Sequence, residues 1–580
     1  MNSFDGYCNS NHKSPSVNKS DLITKCATIL KQYPSRPALA SAILSGEHVY
    51  SSKSKIPFSR SLLWKTSLLK IDTIRQPGED CIPVFDLVPL REYRKKYKNV
   101  VTNIGIPWHL LPIDSKYYRS IKTSLAENLD EDLSNLSISN SPNLKRKLKR
   151  EELNASSNPI SRNTTLQESD LGFLTVIIAD VERLFPEYPE MFINNKSNKI
   201  SMIELLYRYA KWNNKKRHDQ GKKELGYVQG MHELCAVIFA VLNVELIDET
   251  MNNKDIVIDK FSSQIMEFFS RDFLWSDLFA MFDKLMEPIA DKYFTSSGIL
   301  RESIVFDLKL HHLDIGSTNQ PGLAAVLKGE HIESQLWLTR WFRMILTREV
   351  GLAYSVRIWD GLIAYGCVGA SSDTVTGGND ISVLLPSVIL LLVLRIRSQI
   401  LIASVPTLKA VFGTDIDDSI EALSFLLHYP IDKNTSFSRS VSPSVSFECD
   451  PEEHIMMHRR NIFNDIQTQK LIDKATALPK MPSALDLLHD AVLICGLSDD
   501  ELSQLGPKLI KKYSNGDIYE IYDNIRNKRT TKNIFAAVLQ KSQSWTSPHT
   551  TSVDSNLKTD AYRTRMENRL QKKVKDKLNE

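Results

Sequence analysis

Two side chains in this sequence have the type and the setting to act on something outside the chain. Arg183 stands three residues after Asp180 in IIADVERLFP (177–186), and Gln229 stands between Gly226 and Gly230 in GYVQGMHEL (226–234). A guanidinium is a permanent cation with a planar fork of donors, suited to oxygens that are gaining negative charge. A glutamine amide accepts one hydrogen bond while donating others, which suits it to holding a water beside an anion. Each residue also has a plain structural reading. Arg183 on a polar helix face would pair with Asp180 at i,i+3, and Gln229 would be a polar residue in a turn. Neither motif is specific in isolation.

The chain lacks the marks of a self-contained enzyme. It has no G-x-x-x-x-G-K-[ST], no G-x-G-x-x-G after a strand and no H-E-x-x-H. No Ser or Cys sits in a nucleophile elbow. His311 and His312 are adjacent, and neighbours on a helix do not share a face, so they do not read as a metal pair. The cysteines, Cys8, Cys26, Cys81, Cys235, Cys367, Cys449 and Cys495, are odd in number and scattered. That pattern argues for a reducing compartment and against a disulfide scaffold or a zinc site.

The elements that must position Arg183 and Gln229 are helices. Gly and Pro are scarce, at 22 and 24 of 580 residues, and 42% of the chain is apolar, which favours an all-α protein with a sizeable core. In LGFLTVIIADVERLFPEYP (171–189), Leu174, Ile177, Ile178, Val181 and Leu184/Phe185 form one apolar face. Thr175, Asp180 and Arg183 lie off it, and Pro186 ends the helix. Further helices are expected over 21–33, 201–212, about 255–296 and 328–365. In MHELCAVIFAVL (231–242) the apolar positions share a face and begin right after Gln229. The run ISVLLPSVILLLVLRIR (381–397) is broken by Pro386 and closed by Arg395 and Arg397, so it reads as a buried core helix rather than a membrane span. The N-terminus has no apolar stretch of a secretory signal.

Composition divides the chain into an extension (1–54), a main domain (55–430) with insertions near 125–170 and 366–380, a Ser-rich linker (431–453), a C-terminal helical region (454–540), and a polar linker with a basic helix (541–580). The first insertion is Ser/Asn-rich, reads as disordered, and carries a basic run, Lys145–Arg150. With 73 basic and 69 acidic residues, net charge gives no general argument for nucleic acid or membranes. The last helix repeats Tyr562, Met566, Leu570, Val574 and Leu578 beside many Lys and Arg. Such a stripe can bind a partner helix, an anionic membrane or the chain's own domain.

Read together, several motifs in order resemble the TBC-domain GTPase-activating proteins for Rab GTPases. Ile56-Pro57 with Arg60 and Trp64 is similar to the family's opening pattern, IIADVERLFP to its Ile-x-x-Asp-x-x-Arg motif, and YVQG (227–230) to its Tyr-x-Gln-Gly motif. LWLTRWFRMILTREV (336–350) and VRIWDGLIAYG (356–366) are similar to its third motif. Lys55 and Leu184 depart from the usual Gly and Thr. The resemblance covers about 55 to 430. It implies an all-α TBC-type helical domain in two subdomains with disordered insertions, plus a small C-terminal helical region.

By the same resemblance, Arg183 and Gln229 are arginine and glutamine fingers supplied in trans to a Rab-family small GTPase, with Asp180, Tyr227 and Gly230 in support. No cofactor of the chain's own is implied, since the partner binds GTP and Mg²⁺. QGMHEL (229–234), REV (348–350) and LLHYP (426–430) resemble the family-member-five branch, which works at endosomes with retromer. Asn158-Pro159-Ile160 is similar to that branch's retromer-linked turn and equally reads as a linker turn. The implied setting is vesicle and endosomal traffic, cytoplasmic or peripheral on endosomal membranes, without nucleic acid. The main alternative is a non-catalytic TBC scaffold that recruits a Rab or a coat complex.

Overall fold

The computed structural model describes residues 19–48, 57–74, 82–111, 164–248, 259–369, 380–412, 419–431 and 466–528. Lys55, Ile56, the basic run, Asn158-Pro159-Ile160, the Ser-rich linker, most of both insertions and the helix expected over 561–580 lie outside the described residues.

The fold is helical, as the composition and periodicity lead one to expect. Helices α1 (Lys19–Gln32), α2 (Arg36–Leu44) and α3 (Arg60–Leu69) precede a minimal antiparallel pair, β1 (Thr73–Ile74) and β2 (Val84–Phe85). Then come α4 (Val88–Asn103), α5 (Thr164–Glu182), the short α6 (Pro189–Phe192), α7 (Lys196–Asp219) and α8 (Met231–Asn243). The middle of the chain forms α9 (Lys260–Phe269), α10 (Leu274–Tyr293), α11 (Ser296–Leu313), α12 (Leu323–Gly329), α13 (Ser334–Arg343) and α14 (Leu352–Gly369). It continues with α15 (Leu385–Arg395), α16 (Arg397–Ser404), α17 (Pro406–Phe412) and α18 (Ser419–Leu427). The last described helices are α19 (Ile466–Thr476), α20 (Ala484–Cys495), α21 (Asp499–Tyr513) and α22 (Ile518–Lys528).

The helix carrying Gln229's neighbours is a core element. Residues 231–242 of α8 are buried all round, the signature of a helix enclosed by others rather than laid on a surface. It packs against α10, α7, α5 and α3. α15 is buried in the same way. Among the described residues no single helix is long and apolar enough to cross a membrane. The bent pair α15 and α16 passes that test by composition, and its apolar side chains are spent on the core.

The opening and third motifs lock to each other. Asp360 in α14 accepts from Arg60 Nε at 2.8 Å and from Trp64 Nε1 at 2.8 Å. Trp64 stacks on Trp359, with centroids 5.5 Å apart. These residues hold α3 against α14 and leave no group free for chemistry. Outside the core motifs, α2 packs along α14, and α20 and α21 pack on α15. Arg397 Nε and Nη2 donate to Asp314 at 2.7 and 2.9 Å, and its Nη1 donates to Asp517 at 3.2 Å. One buried arginine therefore ties α16, the end of α11 and the start of α22 together.

Candidate functional site

Arg183 is placed by the end of α5. The helix stops at Glu182, one residue before it, so Arg183 is a turn residue rather than a member of a polar helix face. The turn tightens through Arg183 N donating to Asp180 O at 3.4 Å and Leu184 N donating to Val181 O at 3.3 Å. Leu184 and Phe185 then bury their side chains, and Phe185 takes a positive φ of 25° ahead of Pro186. Helical geometry is disfavoured before proline, which accounts for the stop. The Phe185 ring packs near Phe192, and the Arg348 guanidinium lies 5.7 Å from its centroid. Anchored this way, the turn leaves the Arg183 side chain 56% exposed.

Gln229 sits at the other edge of the site, at the entrance to α8. The loop before it is pinned by Asn214, whose Oδ1 accepts from Leu225 N at 3.0 Å and Gly226 N at 2.7 Å. Gly226 has φ +65°, and a Cβ there would lie 2.8 Å from the Phe173 ring. Gly230 has φ +107°, and a Cβ there would meet Arg343 Cβ at 3.3 Å. Only glycine occupies such backbone without strain. The space beside Gly230 is thus filled by this chain's own Arg343. Gln229 itself is exposed and hydrogen-bonds no described residue.

Between these two turns lies a buried polar network. Asp180 is 3% exposed, although the helical pattern places it off the apolar face. One of its oxygens pairs with the Arg183 guanidinium, and the other accepts from the Tyr227 hydroxyl at 2.6 Å. His232 Nδ1 lies 2.8 Å from the Tyr227 oxygen and 3.3 Å from Asp180 Oδ2. The tyrosine has one proton and gives it to Asp180, which assigns a proton to His232 Nδ1 as the donor to the tyrosine oxygen. Burial pushes His232 down to about 4, Asp180 opposes that shift, and Arg183 and Arg348 add to it. The imidazole is therefore neutral at neutral pH. Burial, followed by the bond to Asp180, raises the Tyr227 phenol well above its ordinary range.

The network continues through Glu233, which is 1% exposed. Its carboxylate accepts from Arg348 Nε at 2.6 Å and from Thr347 Oγ1 at 2.9 Å. Nearby, Arg340 Nε donates to the buried Glu349 at 2.6 Å. The sequence reading treats MHEL only as the start of a supporting helix, and so misses His232 and Glu233. The available signal was their polarity, since they are the polar pair in the first turn of a helix otherwise apolar on every side. The structure thus gathers Arg183, Asp180, Tyr227, Gly230 and Gln229 around one surface. It uses Asp180 and Tyr227 inside and exposes Arg183 and Gln229. The described residues contain no cluster of His, Cys, Asp or Glu able to hold a metal.

Chemically, the site offers a fixed guanidinium and a free amide on two braced turns, and no group placed as a nucleophile or a general base. Comparisons with known proteins give the following similarities. Residues 128–401 match the family model described as RabGAP-TBC, the Rab-GTPase-TBC domain. The chain is 27% identical over 203 residues to the GTPase-activating protein GYP1 of Saccharomyces cerevisiae, covering 35% of this chain and 29% of that protein. It is 25% identical over 246 residues to human TBC1 domain family member 5, covering 36% and 28%. The crystal structure of the Ypt/Rab-GAP domain of Gyp1p aligns at 17% identity and a TM-score of 0.35, covering 74% of this chain and 91% of that one. The matches span less than a third of the length of those two relatives. With the Asp-x-x-Arg and Tyr-x-Gln-Gly motifs interlocked through Asp180, and the family model spanning both, residues 128–401 are similar to the Rab-GTPase-TBC domain over just under half of the chain.

Proposed function

We propose that this chain accelerates GTP hydrolysis by a Rab-family small GTPase, with Arg183 and Gln229 both inserted into the partner's active site. The observation that carries the reading is the hydrogen bond from Tyr227 to Asp180, which joins the arginine-bearing and glutamine-bearing turns while both functional side chains stay exposed. GTP and Mg²⁺ belong to the partner. As the γ-phosphoryl separates, charge spreads over its oxygens and the leaving group, and an inserted guanidinium neutralises it. Such fingers contribute on the order of 10³–10⁵ in rate, or about 4–7 kcal/mol of barrier. The Gln229 amide accepts from the attacking water and donates to a phosphate oxygen, which fixes the line of attack.

The test is single-turnover hydrolysis by a panel of GTP-loaded Rabs with the purified full chain. At least one Rab should be accelerated, and Arg183→Ala and Gln229→Ala should each remove nearly all of the acceleration. Full activity in both variants would sink the two-finger mechanism. Tight binding of a GTP-loaded Rab with no acceleration by the wild-type chain would make it a TBC scaffold instead. The likeness to TBC1 domain family member 5, with the REV and LLHYP segments, supports a role in endosomal membrane traffic beside retromer or another coat complex. Proximity labelling of the tagged chain in cells tests that setting.

A further inference from the structure

We infer that the basic C-terminal segment, residues 561–580, docks in cis along the solvent face of α11. The inference does not depend on the GTPase reading. α11 buries Ile299, Ser303, Phe306, Leu310 and Leu313 against the core. Its opposite face carries Leu300, Ile304 and Leu308, which are 49%, 53% and 56% exposed. Three large apolar residues in one row at i, i+4 and i+8 form a ridge of the kind that packs into another helix's groove. Leu336 on α13 is 60% exposed. It follows Ser334, whose hydroxyl donates to Asp307 of α11 at 2.5 Å, so it widens the apolar surface on that flank.

The occupant is identified by spacing, tether and charge. Met566, Leu570 and Val574 repeat at the same four-residue interval. Two i±4 ridges interdigitate in the commonest class of helix packing. The described chain ends with α22, whose Tyr519 hydroxyl donates to Pro321 O at 2.8 Å. Gln320 Nε2 donates to Asp523 of the same helix at 3.0 Å. Both lie in the loop between α11 and α12, so the first half of α22 packs against the connection that follows α11. Residues 529–560 separate α22 from the segment, and their maximum contour of about 105 Å exceeds the roughly 27 Å length of α11.

Charge favours the same pairing. The segment holds seven Lys or Arg against three Asp or Glu. Asp499, Asp500 and Glu501 form the exposed first turn of α21, and Asp499 lies 3.5 Å from His312 at the end of the apolar row. Arg301 and Lys309 on α11 itself are the opposing cations, both on one side of the row. An acidic rim attracts a basic helix and repels an anionic bilayer.

The test is hydrogen exchange by mass spectrometry on the full-length chain at sub-micromolar concentration. Amides of 561–580 should be protected, and Ile304→Asp and Leu308→Asp should each speed their exchange by about tenfold or more. Exchange over 385–395 reports that the variants remain folded. Val574→Asp, in the segment itself, should produce the same loss without touching the core. Free exchange of 561–580 in the wild type would overturn the inference, and so would protection unchanged by Ile304→Asp. Protection that grows with protein concentration would assign the stripe to a second copy and overturn it too. Protection appearing only with phosphatidylserine vesicles would assign the segment to membranes.

Discussion

The Tyr227 hydroxyl donates to Asp180 Oδ2 at 2.6 Å, while the other oxygen of the same carboxylate holds the Arg183 guanidinium. Two motifs separated by more than forty residues of sequence are thereby one buried unit. The position of Gln229, two residues after Tyr227, depends on that bond through the rigid turn between the glycines.

Removing the bond alone is the sharpest test of positioning. Tyr227→Phe keeps the ring and deletes the hydroxyl, leaving Asp180 Oδ2 with His232 as its remaining neighbour. A cost of about 1–3 kcal/mol in urea unfolding is expected for the orphaned buried groups. GTPase activation should fall in the rate at saturating activator, while Rab affinity stays close to wild type. If affinity dropped and the saturated rate did not, Tyr227 would be shaping the docking surface rather than aligning the fingers.

The pH dependence follows from His232. Burial holds it at about 4 in the folded chain, below the 6.5 of an unperturbed imidazole. Between those values the unfolded chain binds a proton that the folded chain refuses. The stability is therefore complete above about pH 6.5 and is lost as pH falls toward 4. The full effect is about 3 kcal/mol below both values. Glu349 acts in the opposite sense, because burial raises its carboxyl. The comparison that isolates the imidazole is therefore wild type against His232→Gln. Unfolding free energy should drop more steeply from pH 7 to pH 5 in the wild type, and parallel curves would show that His232 titrates normally.

Gly226→Ala addresses the glutamine loop. A methyl group there meets the Phe173 ring at 2.8 Å on a backbone of φ +65°. The expected cost is about 1–3 kcal/mol, with weaker GTPase activation because the turn before Gln229 shifts. Phe173→Ala in the same chain relieves the clash but not the φ strain, so a double-mutant cycle should show a positive coupling of about 0.5 kcal/mol or more. Simple additivity would mean the loop moves away from α5 without consequence.

Arg397 tests how the C-terminal helices belong to the fold. Its side chain is 2% exposed and serves Asp314 and Asp517 at once. Arg397→Ala leaves a buried carboxylate uncompensated, at a cost of about 3–5 kcal/mol. A protease site placed between Ser440 and Ser446 should yield two fragments that co-elute on gel filtration in the wild type and separate in Arg397→Ala. Separation in the wild type would show that residues 466–528 are held only by the covalent connection.

Much of this protein was legible in the chain itself. Periodicity predicted the helices around Arg183 and Gln229, because burying one face of a helix writes a 3.6-residue pattern that needs no partner to be seen. The two glycines flanking Gln229 marked a special backbone, and both adopt positive φ. The motifs in order pointed to the family that the comparisons then matched over 128–401. What the pattern could not supply was the fate of polar side chains on those helices. Asp180 falls off the apolar stripe in projection and is buried in the fold, because α8 and the loop before it cover that side. His232 and Glu233 looked like the first turn of a supporting helix, yet they extend the network to Arg348 and Thr347. Gly230 reads in the sequence as a supporting residue, and the space beside it is taken by Arg343. Sequence determined which segments are helices and which residues could act. Only tertiary packing decided which polar groups are satisfied inside and which two are left facing outward. The reason is that hydrogen-bond partners for a buried carboxylate come from segments distant in the chain, and a one-dimensional pattern carries no record of that distance being closed.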